Sequence, residues 1–161
     1  MRPALLFLFL LITSYTCKAQ ESVKEWVGYI DEQKLSNEFE WFRNGYTNYK
    51  PDSAFVEEIS KAKSPYTLLV FGAIWCSDTK ELLPQFYKTI DKAGISHDKV
   101  KLYLLDEKKR SPEKLEKKYH VKKVPTFILL MDGKEVDRII EKADNSMEAD
   151  LVRLFNVKSV K

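Results

Sequence analysis

Residues 75–79, Trp-Cys-Ser-Asp-Thr, combine a lone thiol with polar neighbours in this 161-residue chain. Cys76 follows an apolar run, residues 66–73, whose β-branched and aromatic content predicts a buried strand, and it precedes a segment with helical spacing. The cysteine is therefore predicted at a strand-to-helix turn. Free backbone N–H groups and the positive end of a helix dipole stabilise an anion there, so the position favours a thiolate.

Three features in this order resemble the thioredoxin superfamily. They are Trp-Cys-x-x opening a helix at Trp75 and Cys76, Pro84 eight residues after the cysteine, and Val124-Pro125-Thr126 leading a later strand. The resemblance covers residues 52–155 and implies an α/β thioredoxin fold, in which helices flank a central mixed sheet. Within the superfamily, the motif is similar to that of secreted bacterial thioredoxin-like proteins that carry Trp-Cys-x-Asp-Ser/Thr.

The sequence departs from the dithiol members of that superfamily at two positions. They carry Cys-x-x-Cys, whereas Thr79 stands where their second, resolving cysteine would be. A dithiol cycle within one chain is therefore excluded. Val70 also replaces the buried carboxylate that relays protons to the resolving cysteine in those members, which is consistent with the loss of that cysteine.

The chemistry implied by the motif is monothiol exchange at Cys76. A thiolate attacks a disulfide and forms a mixed disulfide, which an external thiol or another cysteine of the substrate must release. The motif therefore implies reductase or isomerase activity on protein or small thiol/disulfide partners. Ser77 is also part of this motif. Thr79 offers a hydroxyl hydrogen bond to the thiolate. Asp78 either disfavours the thiolate by its charge or serves only the first helical turn.

The segment Val124-Pro125-Thr126 is the predicted substrate-binding loop. By resemblance, Pro125 is the family's cis-proline beside the cysteine, which leaves the backbone of the preceding residue free to pair with an extended substrate. Alternatively, the proline only fixes the loop before the strand. Trp75 is expected to be a surface ring flanking Cys76. No paired ligand spacing predicts a metal, and the motif implies no cofactor.

A second functional hypothesis is a non-catalytic binding module for a peptide or protein partner. It is motivated by the missing resolving cysteine together with Asp78. In that case the loop at Pro125, or the aromatic stretch over residues 39–49, would hold the partner. The alternative for the aromatic stretch is that its rings simply cover one side of the sheet, as aromatic side chains mostly do.

The N-terminus predicts an exported protein. Arg2, the apolar run over residues 4–12 and a small-residue site ending at Ala19 are typical of a signal peptide, too short to span a membrane. The alternative is a lipoprotein acylated at Cys17, although the residues before it form a poor lipobox. After cleavage Cys76 would be the single cysteine of the chain in the periplasm, where disulfides persist. Two chains could then form a homodimer linked by a Cys76–Cys76 disulfide.

The predicted organisation is a signal peptide over residues 1–19, a helical extension over 20–51 and a thioredoxin-like domain over 52–161. Val23, Trp26, Val27 and Ile30 have helical spacing. Loss of residues 1–19 leaves 25 basic against 24 acidic residues, so nucleic acid is not an expected partner.

Later signals predict the remaining elements. Ser111-Pro112-Glu113 is typical of a helix start. The turn at 132–133, Asp-Gly, between apolar runs predicts a hairpin. Asn145 and Glu148 have the spacing of a capping box for a last helix.

Residues 107–123 are strongly basic, with eight Lys or Arg against three Glu. A solvated face is the simplest interpretation. Two others remain: the segment steers an acidic partner, or it lies near anionic lipid.

Overall fold

Five strands and six α-helices make up the part of the chain that the computed structural model describes, residues 26–62, 65–143 and 145–156. The strands are β1 (Gly28–Tyr29), β2 (Tyr66–Gly72), β3 (Val100–Leu104), β4 (Thr126–Met131) and β5 (Lys134–Ile140). The helices are α1 (Glu32–Glu38), α2 (Glu40–Asn48), α3 (Ser53–Ile59), α4 (Ser77–Lys92), α5 (Leu115–Lys118) and α6 (Met147–Asn156). The predicted signal peptide lies outside the described residues.

The strands form one mixed sheet in the order β1-β3-β2-β4-β5. Strand β2 pairs parallel with β3 and antiparallel with β4, while β1 and β5 close the two edges in antiparallel pairing. The register sets Gly72 opposite Leu104 and Phe71 opposite Thr126. The ends of β2 and β3 and the start of β4 therefore meet at one end of the sheet. The predicted mixed sheet flanked by helices is confirmed.

The two faces of the sheet are covered unequally. The larger apolar cluster lies between the sheet and helices α2, α3, α4 and α6, with Phe42, Leu83 and Phe127 almost fully buried. The smaller cluster, which includes Phe71 and Ile128, is covered on the other face by the segment from residue 105 to 124. That segment contains one short helix, α5, and backbone turns together with side-chain contacts shape the rest of it.

The helix predicted from Val23 to Ile30 is wrong over its described part. Residues 26–27 form a turn, and Gly28 and Tyr29 form β1 instead. Gly28 has a φ of +105°, which a helix cannot contain. Trp26 is partly buried and Ile30 is buried. The apolar spacing therefore reflects which side chains pack against the core, not a helical backbone. Val23 lies outside the described residues.

The helix predicted to start at Ser111-Pro112-Glu113 begins later, at Leu115. The side chain of Glu116 accepts hydrogen bonds from the backbone N–H and hydroxyl of Ser111, at 3.3 and 2.8 Å. Glu113 accepts a hydrogen bond from the backbone N–H of Tyr29 at 3.2 Å. These residues are therefore used to hold the segment and the edge strand β1, not to begin a helix.

The hairpin predicted at 132–133 is confirmed. Asp132 and Gly133 both have positive φ, 50° and 74°, as a two-residue hairpin turn requires. The aromatic stretch forms α2. Asp52 caps α3, since its carboxylate accepts the N–H of Ala54 at 2.8 Å.

Helix α2 crosses α4 at a point where no side chain fits between them. A Cβ at Gly45 would lie 2.8 Å from the Cγ of Pro84, closer than real Cβ atoms approach. One turn earlier on α2, Phe42 packs into the core, its ring centroid 5.7 Å from that of Tyr87. Gly45 therefore permits the close approach that buries Phe42.

We expect Gly45→Ala to destabilise the protein, against the usual effect of the substitution. In an exposed helix, Gly→Ala raises stability by about 0.5–1 kcal/mol. Here the new methyl meets the rigid Pro84 ring, and overpacking costs about 1–3 kcal/mol. Urea unfolding of Gly45→Ala beside Thr47→Ala, an exposed position on the same helix, measures this; a Gly45→Ala variant as stable as the parent would refute the contact.

A polar network joins α1 and α2 to the far end of α4. Tyr46 donates a hydrogen bond to Asp91 at 2.6 Å, and His97 contacts the same carboxylate at 2.5 Å. Glu32 of α1 lies 3.6 Å from the other ring nitrogen of His97. Burial and the hydrogen bond to Asp91 raise the pKa of Tyr46 to about 12, so its hydroxyl stays protonated as the donor.

Glu148 ties the N-terminal helices to α6. It is 6% exposed, and its carboxylate accepts a short hydrogen bond from Tyr49 and another from the N–H of Asp52 at 3.2 Å. The capping box predicted for α6 is therefore wrong, and Ser146 caps the helix by accepting the N–H of Ala149. Burial alone would raise the pKa of Glu148, but these hydrogen bonds outweigh it and lower the pKa.

We expect Glu148→Gln to destabilise the protein by about 1–3 kcal/mol at neutral pH, the range for hydrogen bonds to a charged group. Because the folded-state pKa lies below the usual 4.5, the stabilisation is complete above pH 4.5 and is lost as the pH falls through the folded-state value. The difference from the parent should therefore shrink on acidification. Urea unfolding across pH measures it.

The exposed Glu57 on α3 provides the matched control. Among the described residues its carboxylate pairs with the exposed Lys61, at 3.3 Å. Glu57→Gln should change stability by less than about 0.5 kcal/mol at any pH. A Glu148→Gln variant that behaves like Glu57→Gln would contradict the anchoring role.

Candidate thiol site

Cys76 is the N-cap of α4 and lies four residues after the end of β2, at the strand-to-helix turn where the sequence predicted it. Its carbonyl accepts the N–H of Lys80 at 3.1 Å, the first helical hydrogen bond. The side chain is half-buried, and its sulfur stands at the N-terminus of a 16-residue helix. The positive end of the helix dipole lies at that terminus, and in the part of the chain that the structure describes the side chain of Cys76 accepts no capping hydrogen bond from it.

The sulfur contacts the predicted substrate-binding loop. Cys76 Sγ donates a hydrogen bond to the carbonyl oxygen of Val124 at 3.2 Å. The peptide bond between Val124 and Pro125 is cis, and both residues are buried. The carbonyl of Pro125 in turn accepts the N–H of Glu141 at 2.8 Å, which fixes the loop against the end of β5. A thiolate could not make this hydrogen bond to Val124, because a carbonyl oxygen only accepts hydrogen bonds and a thiolate has no proton to donate.

Trp75 lies on the other side of the sulfur and is held by its indole nitrogen. Nε1 donates a hydrogen bond to the carbonyl of Leu105 at 3.2 Å, and 41% of the residue remains exposed. Leu105 is itself anchored to the sheet, because its N–H bonds the carbonyl of Gly72 at 2.9 Å. The exposed ring is thus fixed beside Cys76, as the sequence predicted.

Thr79 points inward and is fully buried. Its hydroxyl oxygen accepts the N–H of Ala73 at 3.2 Å, and its methyl group lies 2.9 Å from where a Cβ on Gly72 would stand. Among the described residues the predicted hydrogen bond from the Thr79 hydroxyl to the sulfur is not found, and the hydroxyl oxygen accepts a backbone N–H instead. The reason is local: the first turn of α4 places this side chain beneath the end of β2.

Asp78 and Ser77 lie at the open side of the turn. Ser77 is exposed and donates a hydrogen bond to Asp78 Oδ1 at 3.4 Å. Asp78 also borders an open cavity of about 420 Å³, shared with Tyr49 and Glu141. Its place in the first turn suits the helix dipole.

The fold assembles most of the predicted site. Cys76 meets Trp75 on one side and the Val124–Pro125 loop on the other, while Thr126 begins β4 and bonds the carbonyl of Lys123 at 2.7 Å. The sequence did not predict that the Leu105 carbonyl belongs to the site. It lies there because β3 pairs parallel with β2, which brings the ends of the two strands together. Among the described residues, no group of three or more His, Cys, Asp or Glu side chains is arranged to hold a metal.

A thiol at a helix N-terminus, facing a loop with a cis X-Pro bond at the end of a mixed sheet, defines the thioredoxin-fold class of site. The family model named Thioredoxin matches residues 47–153, and the chain belongs to the thioredoxin family. None of the helices in the described ranges has the length and apolarity needed to cross a membrane.

Two named relatives are similar in sequence. A thioredoxin of Chlamydia caviae is 34% identical over 92 residues, which cover 57% of this chain and 81% of the relative. A thioredoxin H-type of Oryza sativa subsp. indica is 28% identical over 102 residues, covering 62% of this chain and 78% of the relative.

A similar solved structure is that of a protein of unknown function from Pseudomonas aeruginosa. Its TM-score is 0.57 at 14% identity, over 79% of this chain and 91% of that one. At this identity the likeness concerns the fold alone. The predicted thioredoxin fold is confirmed by the family match together with the mixed sheet flanked by helices.

Proposed function

We propose that this protein is an exported member of the thioredoxin family that performs thiol–disulfide exchange through the single thiol of Cys76. Family membership supports the general chemistry. The monothiol mechanism is supported by one observation: Cys76 faces the Pro125 loop, while the resolving position is occupied by a fully buried Thr79 bonded to Ala73.

The reaction begins when Cys76 loses its proton to solvent and attacks one sulfur of a client disulfide. The client S–S bond breaks, a bond forms between Cys76 and the attacked sulfur, and the other client sulfur leaves as a thiolate that takes up a proton. Thr79 cannot attack the resulting mixed disulfide. An external thiol, or a second cysteine of the client, must therefore release Cys76.

The two release routes have different products. If a client cysteine attacks, the client disulfide is rearranged with no net oxidation or reduction. If external thiols attack, two of them are oxidised to one disulfide and supply the two electrons that reduce the client disulfide to two thiols. The partners are accordingly protein or small disulfides together with an external thiol donor.

The site geometry indicates how a client approaches. The Val124 carbonyl lies 3.2 Å from Sγ, so an attacked sulfur must come close to this loop. The exposed Trp75 ring borders the opposite side. An extended client segment would thus run between Trp75 and Val124 and use backbone contacts at the loop.

We expect the parent protein to form a lasting mixed disulfide with glutathione disulfide, because it lacks a resolving thiol. Cys76→Ser should form none. Thr79→Cys should shorten the lifetime of the adduct at least about 100-fold and yield an internal disulfide, because an intramolecular thiol acts at a very high effective concentration. Intact-mass spectrometry distinguishes these species.

Thr79→Ser is the matched control for this experiment, since it keeps the hydroxyl and adds no thiol. Its adduct should persist as in the parent. A parent protein that forms no adduct, although its denatured form can be alkylated at Cys76, would contradict the proposal and favour a non-catalytic binding module.

Export is proposed from residues 1–19, which carry the signal-peptide pattern. We expect a mature protein beginning at Gln20 in the periplasmic fraction of the producing bacterium, identified by its intact mass. A lipid-modified N-terminus at Cys17 in the membrane fraction would support the lipoprotein alternative instead. An uncleaved chain in the cytoplasm would refute export.

A further inference from the structure

We infer that residues 106–123, called here the basic loop, form a docking surface for an acidic polypeptide segment that flanks the client disulfide. The inference deepens the proposed function and rests on it, since it concerns which clients reach Cys76. It is carried by the position of the basic loop, by its excess of exposed basic side chains, and by the aromatic surface beside it.

The basic loop begins and ends at the thiol site. The residue before it, Leu105, accepts the indole hydrogen bond of Trp75, and the residue after it, Val124, accepts the hydrogen bond of Cys76. Any segment that extends from a bound client disulfide past Trp75 or past Val124 therefore runs toward this loop. Its charges lie where they can act on a client during approach.

Three of the four acidic side chains of the basic loop are engaged in contacts within the protein, although only Glu116 is buried. Glu116 is 3% exposed and bonds Ser111, while Glu113 accepts the backbone N–H of Tyr29. Asp106 accepts the N–H of Arg110 and pairs with its guanidinium at 3.4 Å. Glu107 is the remaining acidic side chain and is exposed.

The basic side chains of the loop all point outward. All eight are exposed: Lys108, Lys109, Arg110, Lys114, Lys117, Lys118, Lys122 and Lys123. Lys123 pairs with Glu141 at 2.6 Å. Within the described ranges, no ion pair engages Lys108, Lys114, Lys117 or Lys122.

On an ordinary solvated face both signs are interspersed. The basic loop carries eight basic against four acidic side chains, and three of those acids are engaged within the protein, so the charge it presents to a partner is mainly positive. Uncompensated charges of one sign beside a site raise the local concentration of oppositely charged partners and accelerate association by about 10- to 1,000-fold. An acidic client segment is the complementary partner.

Exposed aromatic rings next to the basic loop favour a polypeptide over a small anion. Tyr29 is 50% exposed and lies edge-on to Tyr103, with ring centroids 5.7 Å apart. Lys101 stands 5.9 Å above the Tyr29 ring, and Glu113 of the basic loop holds the Tyr29 backbone. Apolar rings set among lysines offer contact area that a free thiol does not fill, as aromatic residues do in protein interfaces.

The test uses three peptides that share a cysteine activated as a thionitrobenzoate mixed disulfide and differ only in flanking residues: Glu, Gln or Lys. Cys76 attacks the peptide sulfur, forms the peptide disulfide and releases thionitrobenzoate, whose absorbance gives the second-order rate. We expect the acidic peptide to react at least about 10-fold faster than the basic one at low salt. The difference should vanish at about 1 M salt, where the Debye length falls to about 3 Å.

A charge-reversed variant tests whether the basic loop is responsible. Lys108→Glu, Lys117→Glu and Lys122→Glu together should reverse the peptide preference. The matched control, Lys61→Glu with Lys92→Glu and Lys134→Glu, makes the same change in net charge. Those three exposed lysines lie beside the opposite end of the sheet: before β2, at the end of α4 and at the start of β5. The control should keep the parent preference.

The outcomes separate this inference from the proposed function. If even the neutral peptide fails to react, or reacts equally with Cys76→Ser, the thiol-exchange function is wrong. If the neutral peptide reacts but the three rates are equal, or both triple variants behave alike, the docking surface is refuted. If the loop variant changes only flotation with phosphatidylglycerol vesicles and no peptide rate, the basic loop is a membrane-binding surface and the inference is also overturned.

Discussion

The pairing of strand β2 with β3 on one side and β4 on the other determines the position of every group at the thiol site. Because Gly72 lies opposite Leu104 and Phe71 opposite Thr126, the chain leaving β2 is flanked by the end of β3 and the beginning of β4. Leu105 directly follows β3, and Val124 stands two residues before the start of β4. A shift of the register by one residue would move both carbonyls and reverse the faces of the strand.

The two faces of the sheet are covered by different kinds of structure. On one face, large apolar side chains and the N-terminal helices build most of the core, and Gly45 and Glu148 make the contacts that join these helices to α4 and α6. The other face is covered by residues 105–124, which contain only one short helix. Glu116 holds this segment from within, and Leu105 and Val124 at its ends bond Trp75 and Cys76. The larger core therefore lies on the first face, and the proposed docking surface belongs to the segment that covers the second.

The parts of the fold that were predictable from the sequence depend on local chemistry. A buried strand leading into a helix at Cys76, a hairpin at 132–133 and an Asp52 cap each follow from residues near in the chain. The errors arose where a distant partner decides the outcome. Glu148 has the spacing of a capping box, yet Tyr49 and the backbone of Asp52 occupy its carboxylate. The Leu105 carbonyl belongs to the site only because of strand pairing.

The packing of helix α2 determines where a domain boundary can be placed in this protein. The match to the Thioredoxin family model begins at residue 47, inside a helix that runs from Glu40 to Asn48. Phe42, before that point, is 1% exposed and belongs to the main core. The module shared with other family members is therefore smaller than the cooperative unit that folds, and a boundary drawn from the shared sequence would cut through the core.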